Sequence, residues 1–323
     1  MTDAGACVAA HCKGGARRRW HNAGMLVTRH FRTLTIVASF ALAAPGTALA
    51  RAQTQGTVDD ARLSELSGLA VSPGDPTRYW AHNDSGNPAE LFALDRAGHV
   101  LAQVRITGAT AFDWEDIAAF TLRGKPYLAI ADTGDNLRWR DVLEIVVVRE
   151  PAPQRASDGL VLGPAWTLRL HLPAGARDIE ALAADAARAQ FWMVEKTDGD
   201  PTLYRLPLQA QGTVLAQAVG TLRLGAACRV ASKPCARAGR VTALDFDRAA
   251  RQALLLTAQG AYWYRRAPAQ DWRQAFASVP VFIPLPRLRQ PEALAFDADG
   301  KGFTVSSEGR KAPLLHMDLP ARH

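Results

Sequence analysis

Five short segments share one pattern and decide the fold: ELSGLA at residues 65–70, DWEDIA at 113–118, DIEALA at 178–183, RVTALD at 240–245 and QPEALA at 290–295. Each segment has the length of a β-strand. Their last residues lie 48, 65, 62 and 50 positions apart along the chain. Internal repeats of about this length are typical of β-propellers, in which each repeat folds as a four-stranded blade.

A glycine follows each segment at a nearly constant distance, 16, 16, 16, 15 and 14 residues after its last residue. These glycines are Gly86, Gly134, Gly199, Gly260 and Gly309. Three of them lie in related sequences, NDSGN at 83–87, DTGDN at 132–136 and TDGD at 197–200. Such residues are typical of hairpin turns, because glycine tolerates positive φ and Asn or Asp side chains bond the nearby backbone.

Further strands complete the units. A third strand follows each turn, at 91–94, 143–149, 203–206, 261–265 and 314–318, and fourth strands are predicted at 100–106, 166–172, 221–224 and 280–285. The last unit has no fourth strand of its own, so residues 57–63 are predicted to supply it and close the ring. We therefore expect an all-β protein, a β-propeller of five blades over residues 57–323. Six blades remain open if a degenerate blade hides in a long unit.

Residues 1–50 have the pattern of an export signal rather than of a folded domain. Arg29 and Arg32 precede an apolar run at 34–44, and ALA at 48–50 predicts cleavage after Ala50. We interpret 25–50 as the signal peptide and 1–24 as lying upstream of the start at Met25. The apolar run is too short to span a bilayer. The sequence thus predicts a periplasmic or secreted monomer without a membrane span.

The charge of the exported part excludes one class of partner. Without the six bases and one acid of residues 1–50, the chain holds 32 bases against 30 acids, and nucleic-acid binding needs a clustered excess of base. Cys228 and Cys235, in CRVASKPC, are predicted to form a disulfide in an oxidising compartment. A loop of this size would contribute roughly 2 to 3 kcal/mol.

Carboxylates recur at the start of the repeat and in its turn. Alternate residues of a strand share a face, so acids of several units converge if the first strand lines the central channel. The strand pairs are Glu65 with Ser67, Asp113 with Glu115, and Asp178 with Glu180, and Glu292 has the matching place in the fifth unit. The turns add Asp84, Asp132, Asp135 and Glu308 near the same rim, and Glu195 precedes the third turn.

Converging carboxylates need compensation, because two like charges about 6 Å apart repel by roughly 2 to 3 kcal/mol at an effective dielectric constant near 20. A bound cation, basic partners or protonation can each supply it. The basic candidates are Arg138, Arg140, Arg177, Lys196 and Arg310. Oxygen-only donors suit Ca²⁺, and the predicted ligands are Asp113, Glu115, Glu180 and Glu292.

Two simpler interpretations stay open. The turn acids Asp84, Asp132 and Asp198 would also occur if they only accepted hydrogen bonds from the backbone. No nucleophile elbow, P-loop, HExxH or four-cysteine zinc pattern occurs after residue 50. A serine hydrolase built from His82 and Ser85 is the remaining alternative, against His82 as a packing residue.

The motifs HNDSG (82–86), DWEDIA (113–118), DTGDN (132–136), RDIEAL (177–182), PEALAF (291–296) and SSEG (306–309) together resemble a family of exported bacterial β-propeller proteins of uncharacterised function. More remotely, the plan is similar to calcium-dependent propeller hydrolases, the lactonases and phytases. That similarity implies a channel metal held by Glu, Asp and Asn that polarises the substrate, with Asn83 and Asn136 as the only counterparts of the asparagine ligands.

Two functions follow as hypotheses. The first is a calcium-dependent hydrolase of a small ester, lactone or phosphoester, with Asp132 or Asp135 as the base. The predicted substrate-binding residues are Glu65, His82, Asn83, Asp84, Trp114, Asn136, Asp178 and Glu308. The second is a non-catalytic propeller that binds a cell-envelope ligand or protein, with the acids paired to arginines. A purely structural metal is an intermediate case.

Overall fold

A computed structural model describes residues 52–152, 155–230, 233–235 and 237–321. The first half of the strands, in chain order, is β1 (Ala52–Val58), β2 (Leu66–Val71), β3 (Arg78–Asn83), β4 (Glu90–Asp95), β5 (Val100–Ile106), β6 (Trp114–Leu122), β7 (Lys125–Asp132), β8 (Leu143–Arg149), β9 (Leu160–Leu162), β10 (Trp166–His171), β11 (Ile179–Asp185) and β12 (Gln190–Glu195). The chain continues with β13 (Thr202–Pro207), β14 (Thr213–Leu215), β15 (Gln217–Thr221), α1 (Leu224–Ala227), β16 (Arg229–Val230), β17 (Lys233–Pro234), β18 (Val241–Phe246), β19 (Gln252–Thr257), β20 (Gly260–Arg265), α2 (Trp272–Phe276), β21 (Val281–Pro284), β22 (Pro291–Phe296), β23 (Gly302–Ser307) and β24 (Ala312–Asp318).

Five sheets form the blades of a propeller, which confirms the predicted fold and blade number. The sheets are β2-β3-β4-β5-β9 (blade 1), β6-β7-β8-β10-β14 (blade 2), β11-β12-β13-β15 (blade 3), β18-β19-β20-β21 (blade 4) and β22-β23-β24-β1 (blade 5). The innermost strands β2, β6, β11, β18 and β22 contact one another in a ring around the channel. We call the end of the blades that carries the turns between second and third strands the upper face, and the opposite end the lower face.

The two longest units do not hide a sixth blade. Their extra residues return to the preceding blade, where β9 pairs in parallel with β5 and β14 pairs in parallel with β10. Each of these short strands lies on the outer edge of its sheet. The long units thus link neighbouring blades.

A strand that precedes the first blade closes the ring, as predicted, but the predicted bounds of this strand were wrong. The closing strand is β1, Ala52–Val58, which pairs antiparallel with β24. Of the predicted 57–63, only Thr57 and Val58 belong to it. The chain turns next, because the Asp60 carbonyl accepts a hydrogen bond from the Leu63 amide at 3.1 Å and the Leu63 side chain is buried.

The fourth strand of blade 3 also differs from its prediction at 221–224. It is β15, Gln217–Thr221, whose side chains are largely exposed, and Leu224 begins the helical turn α1 instead. Helix α2 was not predicted either, and a capping box of Asp271 and Gln274 begins it. The segment 181–190 is strand and turn.

Large aromatic side chains pack between blades. Trp80 of blade 1 and Trp114 of blade 2 belong to one buried cluster. Trp192 of blade 3 contacts Phe276 of α2, with ring centroids 6.2 Å apart. Burial of such area, at about 25 cal/mol per Å², is the main force that holds blades together.

Cys228 and Cys235 form the predicted disulfide, with their Cα atoms 5.5 Å apart. The bond spans the small hairpin of β16 and β17, in the connection between blades 3 and 4. The predicted signal peptide and cleavage site lie outside the described residues. No helix among the described residues is long and apolar enough to cross a membrane.

Candidate functional site

Each innermost strand carries a β-bulge at the same position of the repeat. The pairing register shifts between Leu66/Gly68, Trp114/Asp116, Ile179/Ala181, Val241/Ala243 and Pro291/Ala293. A bulge leaves one residue out of the ladder and turns the strand. The five residues left out are Ser67, Glu115, Glu180, Thr242 and Glu292. The innermost strands thus hold three carboxylates and two hydroxyls at equivalent places near the upper face.

The two hydroxyls bond the backbone of the next blade. The Ser67 hydroxyl donates to the Glu115 carbonyl at 2.8 Å, and the Thr242 hydroxyl donates to the Pro291 carbonyl at 2.9 Å. The three glutamates have no such role. They lie instead among further acids from the turns.

Seven carboxylates form what we call the acidic cluster: Asp84, Asp113, Glu115, Asp178, Glu180, Glu292 and Glu308. Carboxylate oxygens lie within 4.8 Å of one another in three groups, Asp84 with Glu292 and Glu308, Asp84 with Asp113 and Glu115, and Glu115 with Asp178 and Glu180. Asp84 and Glu115 each belong to two groups, so the groups are continuous. The cluster draws on blades 1, 2, 3 and 5, and it contains all four predicted metal ligands.

Lys196 forms the one ion pair with a cluster carboxylate among the described residues, to Glu180 Oε2. Glu180 is 1% exposed, and its Oε1 has no hydrogen-bond partner within the described part of the chain. Burial raises the pKa of Glu180 to about 8 although Lys196 opposes the shift. Burial disfavours the charge of Lys196, but Glu180 and Glu115 outweigh it and raise the lysine pKa.

Burial and mutual repulsion also raise the pKa values of Asp84, Asp113, Glu115 and Glu292. The pKa of Glu292 rises to about 9, through burial and through its hydrogen bond with Glu308. Burial, together with Glu180 and Asp84, holds the pKa of Glu115 well above its usual range. Burial raises the pKa of Asp84 to about 6. Full ionisation of the cluster therefore requires positive charge beyond that of Lys196.

Gly134 makes the close approach of these acids possible. A Cβ atom at this position would lie 2.0 Å from Glu115 Oε1 and 2.5 Å from the Asp113 carboxylate. Gly86 and Gly309 have the positive φ expected of turn glycines, 75° and 106°. Gly134 has no positive φ, so the space taken by the two carboxylates, rather than backbone conformation, favours glycine there.

The two predicted bases are engaged by backbone amides, and Asp132 also pairs with the Arg140 side chain. Asp132 is 1% exposed, pairs with the Arg140 guanidinium at 2.8 Å and accepts from the amides of Phe112 and Asp113. Asp135 is 2% exposed, and its two oxygens accept from the amides of Trp139 and Arg140. The contacts of Asp135 and Arg140 order the loop at 133–142. They fit the simpler interpretation that turn acids only accept hydrogen bonds from the backbone. A catalytic role of either aspartate remains a prediction that the contacts do not support.

The remaining predicted residues lie around the cluster in different surroundings. Glu65 and Asn136 are exposed, and the Glu65 carboxylate accepts a hydrogen bond from the Asn87 side-chain amide at 2.6 Å. Asn83 joins the start of β2 to β3 by accepting from the Glu65 amide at 3.0 Å. Asp178 accepts from the Asp135 amide at 2.9 Å.

His82 and Trp114 are packing residues in the structure. Both are buried, their rings meet edge to face at 5.5 Å, and a Cβ at Gly68 would lie 2.2 Å from His82 Nε2. Burial lowers the pKa of His82 to about 4, so the ring is neutral at physiological pH. The geometry favours the packing interpretation of His82 over a hydrolase role with exposed Ser85.

An exposed apolar surface borders the cluster and was not predicted. Phe112, Leu137 and Trp139, the apolar rim patch, are 48%, 82% and 64% exposed. The rings of Phe112 and Trp139 lie 5.9 Å apart, and Arg140 lies over Phe112 at 4.7 Å. The signal was present in the sequence as large apolar residues within turn motifs, where polar residues are usual.

The comparisons with known proteins show similarity in fold only. No protein-family model and no curated protein matches the sequence. One similar solved structure is a nidogen/laminin complex, with 13% identity, a TM-score of 0.41, and coverage of 75% of this chain and 72% of that chain. Another is the glutaminyl cyclase of Myxococcus xanthus, with 12% identity, a TM-score of 0.47, and coverage of 84% and 98%. Similarity at this level carries no argument about activity, so the site is interpreted from its own geometry.

Proposed function

We propose that the acidic cluster binds a divalent cation, Ca²⁺, at the upper face of the propeller. The observation that carries the proposal is the convergence of seven carboxylates from four blades upon one lysine. Strand acids have no part in turn formation, and burying them together costs free energy unless a cation compensates. Protonation of the carboxylates is the competing way to relieve their repulsion, and the raised pKa values describe this protonated cluster.

The donor set fits Ca²⁺. The cluster offers only oxygen atoms, and Ca²⁺ takes six to eight oxygen ligands in flexible geometry. Glu180 Oε1, buried and unpaired among the described residues, is a ligand atom without another role. Asp84 and Glu115 each belong to two of the carboxylate groups, so either residue would contact a cation held by either of its groups.

The chemistry that we propose is hydrolysis of a small ester, lactone or phosphoester. A bound cation would supply polarisation of the substrate oxygen. Glu308 is half-buried and accepts a hydrogen bond from the Gln290 side-chain amide at 2.6 Å. In this proposal Glu308 would accept the proton of the attacking water. The apolar rim patch would hold the uncharged part of the substrate beside the acids.

The second candidate is a non-catalytic binding propeller of the cell envelope. The apolar rim patch favours it, because large exposed apolar side chains beside polar ones are typical of surfaces that contact ligands or proteins. The hydrogen bonds of Asp132 and Asp135 with the backbone also favour a structural role for these two acids over a role as bases. A cation in this case would order the surface without taking part in a reaction.

Metal content and thermal stability, with and without a chelator, test the proposal. We expect bound calcium in the purified protein, a lower melting temperature after chelation, and recovery with added Ca²⁺. Glu115→Gln removes the carboxylate shared by two groups and should weaken calcium binding at least tenfold in a calorimetric titration.

The matched control is Asp299→Asn, an exposed acid in the turn between β22 and β23 on the lower face, which should bind calcium like the parent. Absence of bound metal, with a melting temperature that neither chelator nor Ca²⁺ moves, would falsify the calcium site. Calcium binding without turnover of chromogenic esters, lactones or phosphoesters would favour the second candidate.

A further inference from the structure

One acid on the lower half of the channel departs from the repeat. The last residue of the repeated segment is alanine in four blades, Ala70, Ala118, Ala183 and Ala295, and aspartate in the fourth, Asp245. Neither a turn nor the upper acidic cluster requires an acid at this place. The Asp245 carboxylate accepts a hydrogen bond from the Phe296 amide of blade 5 at 2.8 Å.

Asp245 lines a cavity of about 440 Å³ that we call the lower cavity. Its walls come from the first turn of all five blades and include the apolar residues Val71, Ala119, Ala184, Phe246 and Phe296. The charged residues of the wall are Arg123, Asp245, Asp247, Arg248 and Asp297. Small-molecule sites are typically cavities of about 300 to 1,000 Å³ with apolar walls and few polar groups. Small side chains at the lower ends of β6 and β11 leave this space open.

The other acids of the lower cavity already have partners. Asp297 bonds His316 Nε2 at 2.7 Å, and Asp247 accepts from the amides of Arg251 and Gln252. Asp245 has no ion pair with a basic side chain among the described residues. Asp247 has no ion pair there either, but those amides hold it in its own turn, so Asp245 is the acid of this cavity that neither a turn nor a basic side chain accounts for.

Arg248 limits access to the lower cavity. Its guanidinium donates to the Ser72 carbonyl at 3.0 Å, which joins blade 4 to blade 1 past the mouth of the channel. The ligand must therefore be compact. An opposite charge on the ligand would compensate Asp245.

We infer that the lower cavity binds a small organic ammonium ion, whose charged group pairs with Asp245 and whose apolar part contacts the alanine and phenylalanine side chains. This site is separate from the proposed calcium site, since the two lie at opposite ends of the innermost strands. Burial raises the pKa of Asp245 to about 7, so binding is strongest in mildly alkaline solution, where both the carboxylate and the amine are charged.

Calorimetric titration with phenethylamine at about pH 8 tests the inference, and 2-phenylethanol serves as the uncharged ligand of equal shape. We expect the amine to bind at least tenfold more tightly than the alcohol. Asp245→Asn keeps an acceptor for the Phe296 amide and removes the charge, so it should weaken amine binding at least tenfold and leave the alcohol unchanged. Equal binding of amine and alcohol by the parent protein, or no binding of either at millimolar concentration, would overturn the inference even if the variant failed to fold.

Two controls separate this site from the acidic cluster, which also attracts cations. Glu115→Gln, and saturation with Ca²⁺, should leave amine binding unchanged if the lower cavity is the site. Loss of amine binding in Glu115→Gln together with full binding in Asp245→Asn would overturn the inference and assign the amine to the upper face. Asp245→Ala, which restores the residue of the other four blades, gives a second uncharged variant.

Discussion

Asp116 joins three blades through a single buried carboxylate. Its Oδ1 accepts from the Ile117 amide at 2.8 Å, and its Oδ2 accepts from the amides of Leu182 at 2.8 Å and Leu244 at 3.0 Å. These amides belong to the innermost strands of blades 2, 3 and 4. The inner edge of a blade has no further strand to satisfy its amides, so a side chain must do so.

Asp116→Ala should therefore destabilise the fold strongly. Three buried amides would lose their acceptor, at a cost of about 1 to 3 kcal/mol each. We expect a loss of several kcal/mol in the free energy of unfolding measured with urea, and a smaller loss for Asp116→Asn, which keeps one acceptor oxygen. A change below about 1 kcal/mol for the alanine variant would mean that other groups or water bond these amides.

The proximity of the strand acids could be predicted from the sequence, whereas the orientation of the turn acids could not. Glu115, Glu180 and Glu292 were placed together because the repeat aligns them and turn formation does not explain them. Asp132 and Asp135 share the same motif region, but sequence alone does not say whether a turn carboxylate faces its own backbone or the channel. The structural role of Asp116 was not predicted, although Asp116 lies in the motif DWEDIA and the other blades have glycine or alanine at its position.

Strand β1 fastens blade 5 to blade 1 as well as to β24. The Thr57 amide donates to the Ala97 carbonyl of blade 1 at 3.0 Å, next to the bulge between Thr54 and Gly56. A Cβ at Gly56 would lie 2.1 Å from the same carbonyl oxygen. Glycine is thus the residue that permits this contact between the first and last blades.

Gly56→Ala should loosen β1 without altering any other strand. The added methyl group meets backbone that cannot rotate away, so we expect a lower urea midpoint and faster hydrogen exchange of the β24 amides that pair with β1. Gly163→Ala is the matched control, because no atom lies within 4 Å of a Cβ there. Equal midpoints for the two variants would show that β1 adjusts at no cost.

Most strands were predictable, whereas several exposed strands at the outer edges of the blades were not. The predicted bounds of β5 and β8 agree with the structure because both strands pack apolar side chains on neighbouring blades. Outer strands such as β15 expose most side chains and carry no apolar pattern. For the same reason the parallel edge strands β9 and β14 left no periodic signal in the sequence.

Acids with raised pKa values lie at two separate places along the channel axis. The acidic cluster lies at the upper ends of the innermost strands, and Asp245 lies toward their lower ends. In both places burial raises carboxyl pKa values, most clearly for Glu180, Glu292 and Asp245. Folding therefore takes up protons in the range between the unfolded and the folded pKa values.

Stability without added divalent cations should fall as the pH rises from about 5 to about 9. A carboxyl group whose pKa is higher in the folded chain binds more protons there, so its stabilising contribution is complete at low pH and lost through the folded pKa. Each such group changes the free energy of unfolding by up to about 1.4 kcal/mol per pH unit. The aspartates with lowered pKa, Asp60, Asp75 and Asp95, titrate below this window.

Melting temperatures across this range check the expectation, in chelator and in millimolar Ca²⁺. Calcium should flatten the decline, because the cation replaces protons as the compensating charge. A melting temperature that rises with pH in chelator would contradict the raised pKa values, and identical slopes in both solutions would contradict cation binding at the cluster.

The pairing of β1 with β24 also determines the orientation of the protein when one end of the described fold is attached to a solid support. Ala52 lies opposite Met317, so both ends of the described fold meet at the outer edge of blade 5. That corner lies toward the lower face, because β24 runs from the upper face downward. A biotin or linker joined at either end would therefore anchor the protein by its rim, with the acidic cluster directed toward the solution in a biosensor.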